Sequence, residues 1–200
     1  ESRLGSLSVP LDADTMFGAM ASLNVRALTD RPLYAKLRVS APPNPNASLE
    51  AVDGEFEIER QVFEFKTGRE IASFRKAKLN ERYVVLLTGN RTRGGDELQV
   101  MMKDPVPAGF QIESVISPSI RDESFDWLPE LSYVDVTEIT DDAFFAASLV
   151  DLDRRNSMRV AYVIRATTPG TYLATQAVME DMYAPERTSS SNGVPVTVVP

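Results

Sequence analysis

No helical period is sustained anywhere in this chain; it breaks instead into about ten short runs, roughly 8–15 residues apart, with turn residues between them. That rhythm predicts an all-β fold, an antiparallel β-sandwich. The runs differ in the cover they demand. Over 159–166, Val160, Tyr162 and Ile164 stand on one side and Ala161 and Val163 on the other, which suits a strand buried on both faces. RYVVLLT at 82–88 is also too apolar to be exposed on both faces. By contrast LYAKLRV at 33–39 alternates, with Leu33, Ala35, Leu37 and Val39 against Tyr34, Lys36 and Arg38, the pattern of a half-buried strand.

Weaker strand signals lie at 4–9 and 20–28, and clearer ones at 98–102, 110–112, 133–139, 144–150 and 194–199. In the run at 55–65, Phe56, Ile58 and Val62 share a phase that slips at Phe63 and Phe65, which predicts a bulge or sharp twist. Residues 74–79 are expected to form one helical turn. Turn chemistry falls at 66–69, at Pro169-Gly170 and at 189–193, and DPVPAG at 104–109 reads as a rigid link. Residues 117–131 are irregular, with Trp127 expected to pin that loop. APPNPNAS at 41–48 is the best internal boundary, its prolines removing backbone donors.

Composition narrows the function. A net charge of −8 argues against a nucleic-acid partner, which needs clustered Lys and Arg. With no Cys and no His, the chain has no thiol nucleophile, no Ser-His-Asp arrangement and no zinc site of the usual kind, and neither a cofactor nor a metal is expected. The acids at Asp141-Asp142, Asp151/Asp153 and Glu180-Asp181 read as turn and edge charges, since neighbours on a strand point to opposite faces. Asp151, Asp153 and Asn156 lack the Gly and closing Glu of a calcium loop. Gly94-Gly95 precedes a strand rather than a helix, so it is no phosphate cradle. Asn46 and Asn90 open glycosylation-type triplets that are common by chance. No run reaches the roughly 18 apolar residues of a membrane span. No enzyme activity is expected.

After the Pro169-Gly170 turn, Tyr172 and Leu173 begin a short strand, and Glu180-Asp181-Met182-Tyr183 ends in an aromatic just before Pro185. From the residues alone, Tyr183 reads either as local packing at a strand end or as a displayed contact.

Residues 161–200 resemble the carboxy-terminal end of bacterial alpha-2-macroglobulins. Arg165-Ala166-Thr167-Thr168-Pro169-Gly170 is similar to that family's Arg-Ala-Val-Thr-Pro-Gly segment, and Glu180-Asp181-Met182-Tyr183-Ala184-Pro185 to its Val-Glu-x-Met-Tyr-x-Pro element. DPVPAGF at 104–110, Thr140-Asp141-Asp142-Ala143-Phe144 and Asn80-Glu81-Arg82-Tyr83-Val84-Val85 resemble further segments in the same order. Departures are Thr167 for Val, Ala174-Thr175 for prolines, Met179 for Val and Ala143 for Arg; none removes Tyr183.

The resemblance implies a macroglobulin-like β-sandwich of immunoglobulin-like architecture over 46–200, with 1–45 either the tail of a preceding linker domain or extra strands. It implies a non-catalytic terminal domain of a protease trap, packed against a thioester-type domain of the same polypeptide and meeting target proteases through the full-length protein. Because this chain holds no Cys, any thioester is expected upstream of it; with no initiating Met, basic start or apolar run at Glu1, the chain reads as a fragment of something longer. Tyr183, with Met182, Met179 and Glu180, is expected to shield it. The implied location is the periplasm, with a lipid anchor outside this fragment on the inner membrane. The alternative is a stand-alone adhesive or ligand-binding sandwich of a secreted protein.

Overall fold

The computed structural model describes residues 48–93, 96–119, 123–150 and 156–200, all within a compact unit spanning Pro42–Pro200. The runs predicted at 4–9, 20–28 and 33–39, most of the proline-rich boundary, Gly94-Gly95, Asn46 and the acids Asp151 and Asp153 lie outside the described residues.

Among the described residues twelve strands follow one another: β1 (Phe56–Glu64), β2 (Lys76–Lys78), β3 (Arg82–Arg91), β4 (Leu98–Pro105), β5 (Phe110–Ile116) and β6 (Val136–Ile139). Then come β7 (Ala143–Val150), β8 (Ser157–Ala166), β9 (Gly170–Ala174), β10 (Val178–Asp181), β11 (Thr188–Ser190) and β12 (Val194–Val199). They form a four-stranded sheet β1-β3-β8-β5, a five-stranded sheet β11-β10-β4-β7-β6 and a three-stranded sheet β2-β12-β9. Among these strands every pairing is antiparallel except β12 with β2, which is parallel. The fold is the expected antiparallel sandwich.

The main core lies between the sheets. Val85, Leu87, Val160, Tyr162 and Ile164 from the four-stranded sheet meet Val100, Met102, Phe144 and Met179 from the five-stranded one. Each such side chain contributes about 1.5–3 kcal/mol by leaving water. The Tyr162 and Phe144 rings stack at 4.6 Å between centroids, which adds about 0.5–1.5 kcal/mol. The opposite face of the four-stranded sheet is covered as well. Phe63, Val84, Leu86, Ala161 and Val163 form a second cluster beneath Phe125, Trp127, Leu128 and Leu131. Burial on both sides is why 83–87 of β3 and 160–164 of β8 are unbroken apolar runs.

That second cluster also corrects the reading of β1. Its register with β3 runs unbroken from Phe56↔Arg91 to Glu64↔Tyr83, so no slip occurs at Phe63. Val62 faces one core and Phe63 the other; the apparent change of phase is two-sided burial. The irregularity lies in β5 instead, between Ile112 and Ser114. The helical turn expected at 74–79 is also wrong. Lys76 and Lys78 are exposed around a buried Ala77, and this strand pairs in parallel with β12.

Trp127 does pin its loop, which includes a short 3₁₀ turn at Glu123–Phe125. Its ring lies 4.9 Å from that of Phe63, and its Nε1 donates to the Ser124 carbonyl at 2.9 Å. Gly68, at φ 67°, turns the chain between β1 and Arg69 and lets the indole sit directly over its Cα. The turn expected at 189–193 is shorter than predicted, because Thr188–Ser190 pair with β10 as a strand.

Candidate functional site

β10 lies between β11 and β4, with Met179 opposite Met102 and Glu180 opposite Met101. The pleat sends Met179 and Asp181 inward and Glu180 outward. Met179 is fully buried, against the space left by Gly89, where a Cβ would lie 2.4 Å from the Met179 sulfur. It therefore cannot share an outward contact with its neighbours, a correction to the expectation that it shields together with Glu180, Met182 and Tyr183.

Beyond β10 the chain closes on itself. Met182 N donates to the Gln99 carbonyl at 2.9 Å, Asp181 N to the Arg187 carbonyl at 3.0 Å, and Arg187 N to the Ala184 carbonyl at 2.8 Å. The Asp181 carboxylate sits below this turn, only 3% exposed. One oxygen accepts the Tyr183 backbone N–H at 2.9 Å, and the other lies 3.5 Å from Arg187 Nη1. Arg187 is also paired with Glu55 at 3.6 Å, fastening the turn to the chain leading into β1. A backbone held at so many points leaves little local freedom. At its crest the Tyr183 side chain is 86% exposed and Met182 46% exposed, while Glu180 lies half-buried on the outer face of the sheet. The tip displays a large amphipathic ring and a thioether on a fixed frame.

A second polar arrangement lies inside the sandwich. Asp104, fully buried on β4, accepts from Arg60 Nη1 of β1 at 3.1 Å and from the Tyr162 hydroxyl of β8 at 2.7 Å. Arg60 Nη2 donates to two carbonyls, those of Thr175 and Asn192. Burial raises the Asp104 carboxyl above the ordinary range, opposed by Arg60 and by the Tyr162 hydrogen bond. Burial, with the Asp104 charge beside it, raises the Tyr162 phenol well above its usual value.

Residues 56–186, which run from β1 through the displayed tip, match the model of the bacterial alpha-2-macroglobulin MG10 domain. The chain belongs to that family. The MG10 chain is 27% identical over 176 residues to alpha-2-macroglobulin of Escherichia coli strain K12, a match covering 84% of this chain and 10% of the relative. It superposes on the crystal structure of Salmonella alpha-2-macroglobulin reacted with methylamine with a TM-score of 0.64 and 26% identity, over 77% of this chain and 10% of that one. The native Escherichia coli protein seen by cryo-EM has the same fold at 22% identity, with a TM-score of 0.63, over 80% of this chain and 10% of that one. The chain thus spans about a tenth of the length of the relatives it matches.

Within the MG10 domain the structure brings Met182 and Tyr183 together at the tip, sets Glu180 beside them on the outer face and takes Met179 into the core. Sequence reasoning missed Arg60, Asp104 and Tyr162 as a group. The available signal was phase. Asp104 continues the inward face of Val100 and Met102, and Arg60 that of Phe56 and Val62, so each is a charge on an apolar face. Among the described residues no helix is long and apolar enough to cross a membrane.

Proposed function

We propose that this chain is a non-catalytic domain of a bacterial alpha-2-macroglobulin-type protease trap. In this reading the tip at 182–187 packs against a thioester-bearing domain of the same polypeptide while the trap is uncleaved. The observation that carries the reading is a tyrosine ring left almost wholly exposed on a locked turn, inside a domain that is about a tenth of its relatives' length. A thioester hydrolyses in water, and an aromatic ring laid over it excludes water. This chain has no Cys, so the thioester belongs to another part of the polypeptide.

Tyr183 supplies most of the cover, Met182 widens it with a shape-adaptable side chain, and Glu180 stands at its polar rim. Burying the Tyr183 ring contributes about 1.5–3 kcal/mol. That corresponds to roughly 10- to 150-fold in the balance between covered and uncovered states. Such a latch is strong enough to hold and weak enough for a cleavage-triggered rearrangement to open. The same reading places the full-length protein in the periplasm on a lipid anchor outside this chain, where it would meet target proteases.

The test is Tyr183→Gly in the full-length protein, with methylamine incorporation followed before any protease is added. Incorporation is expected to speed up within the 10- to 150-fold range set by the ring's burial. A rate equal to wild type overturns the shielding role.

A further inference from the structure

The hairpin formed by β10 and β11 has its tip at Tyr183 and its base at Thr175 and Asn192. Thr175 follows the last residue of β9, two residues before Ala177, and Asn192 follows Ser191 after β11. The two strands of the base are bonded to each other. Ser191 N donates to the Ala177 carbonyl at 2.8 Å, Ala177 N donates to Ser191 Oγ at 2.9 Å, and Gln176 Nε2 reaches Ser190 Oγ at 3.0 Å. Across this base lies one guanidinium. Arg60 donates through Nη2 to both the Thr175 and the Asn192 carbonyls, while its Nη1 is held by the buried Asp104. Asp104 is in turn held by Tyr162.

We infer that Arg60, fixed by Asp104, is a positioning residue that clamps the base of the β10–β11 hairpin and so sets where Tyr183 is displayed. The geometry is specific to arginine. A planar fork satisfies an acid on one side and two carbonyls from separate segments on the other, whereas a lysine ammonium is a single point that cannot span all three. The arrangement also accounts for an ion pair on the apolar inner faces of β1 and β4, where one-sided loss of a partner is costly and a hydrophobic replacement would pack as well. Arg60 needs the Asp104 charge behind it, since two carbonyls alone would leave a cation largely removed from water. Because β1 and β4 belong to opposite sheets, the clamp ties the hairpin to both layers of the sandwich at once. For the trap this inference rests on the shielding reading of Tyr183; as a statement about the hairpin it does not.

The test uses the 200-residue chain and Arg60→Lys, with Arg60→Leu as a second variant. Amide hydrogen exchange is read at Ala177, Asp181, Met182 and Ser191 in the hairpin, and at Val85, Leu87 and Val163 in β3 and β8. The clamp predicts hairpin exchange faster on the order of ten- to a hundredfold, the size set by losing charge-assisted hydrogen bonds. The β3 and β8 amides should keep their wild-type rates in Arg60→Lys. Equal acceleration of both groups in Arg60→Lys assigns Arg60 to general stability and overturns the inference, as does no acceleration in either variant.

In the full-length protein, Arg60→Lys should raise methylamine incorporation in the direction of Tyr183→Gly. Should Tyr183→Gly leave incorporation unchanged while the hairpin still loosens, the shielding reading fails and the clamp stands. Should Tyr183→Gly act while neither Arg60 variant changes exchange or incorporation, the clamp fails alone.

Discussion

Tyr162→Phe removes one oxygen from the middle of the sandwich and tests whether Asp104 is held there as a charge. The ring still stacks on Phe144, whose centroid lies 4.6 Å away, so the packing loss is small. What is lost is the 2.7 Å hydrogen bond to Asp104, whose oxygen has no route to water. With Asp104 ionised the bond is charge-assisted and removing it costs about 1.5–3 kcal/mol; with Asp104 protonated it falls to the neutral value of about 1 kcal/mol. Near neutral pH this lowers Tm by about 3–12 °C, at roughly 2–4 °C per kcal/mol for a chain of this size.

The pH dependence has a definite sign. The Asp104 carboxyl is raised in the folded state, so the folded protein holds that proton more tightly than the unfolded chain. The associated stability is fully present below the unfolded carboxylate pKa and is lost as pH rises through the folded one. Removing the Tyr162 donor raises the folded value further. The gap between wild type and Tyr162→Phe should therefore widen from acid toward neutral pH. Urea unfolding followed by far-UV circular dichroism at several pH values measures the gap, provided the m-value is unchanged. A gap that is constant across the series, or below about 0.5 kcal/mol throughout, would refute the charged, buried assignment of Asp104.

Two further substitutions probe the frame of the tip and the covered outer sheet face. Asp181→Ala strips the acceptor from the Tyr183 N–H and should cost about 1–2 kcal/mol in urea unfolding, with faster amide exchange at Tyr183; the Arg187 pair adds little, being half exposed. Gly68→Ala combines a left-handed backbone with a Cβ 2.6 Å from the Trp127 ring, so it should destabilise by about 1–3 kcal/mol and alter Trp127 fluorescence.

What was legible in the sequence was what the pleat and local turn chemistry encode. Burial on both faces of β8 is written in its own residues, and Pro169-Gly170 marks the turn into β9. The same two-residue period, applied to 179–182, separates Met179 and Asp181 from Glu180 and Met182. Grouping Met179 with Glu180, Met182 and Tyr183 as one shielding set ignored that alternation. The slip read at Phe63 came from assuming that only one face of β1 needed cover. β2 escaped notice because Lys-Ala-Lys is too short to show a period, and its strand state depends on β12, far along the chain. Asp104 was hidden for a different reason. Next to Pro105 it resembles link material, and the packing of one sheet on the other across the core brings it to Tyr162. Exposure of Tyr183 could not be read from sequence, because it depends on Asp181 turning inward to hold the Tyr183 backbone while the ring points away.

The proposed shielding requires the exposed Tyr183 ring to be covered in the intact, uncleaved protein. Hydroxyl-radical footprinting measures this at Tyr183 and Met182 in three samples: the 200-residue chain, the full-length protein, and the full-length protein after protease. Fast labelling of both residues is expected in the chain, where Tyr183 is 86% exposed. Protection is expected in the uncleaved full-length protein, and fast labelling again after cleavage. Labelling of Tyr183 in the uncleaved full-length protein at the rate found in the chain would contradict the shielding.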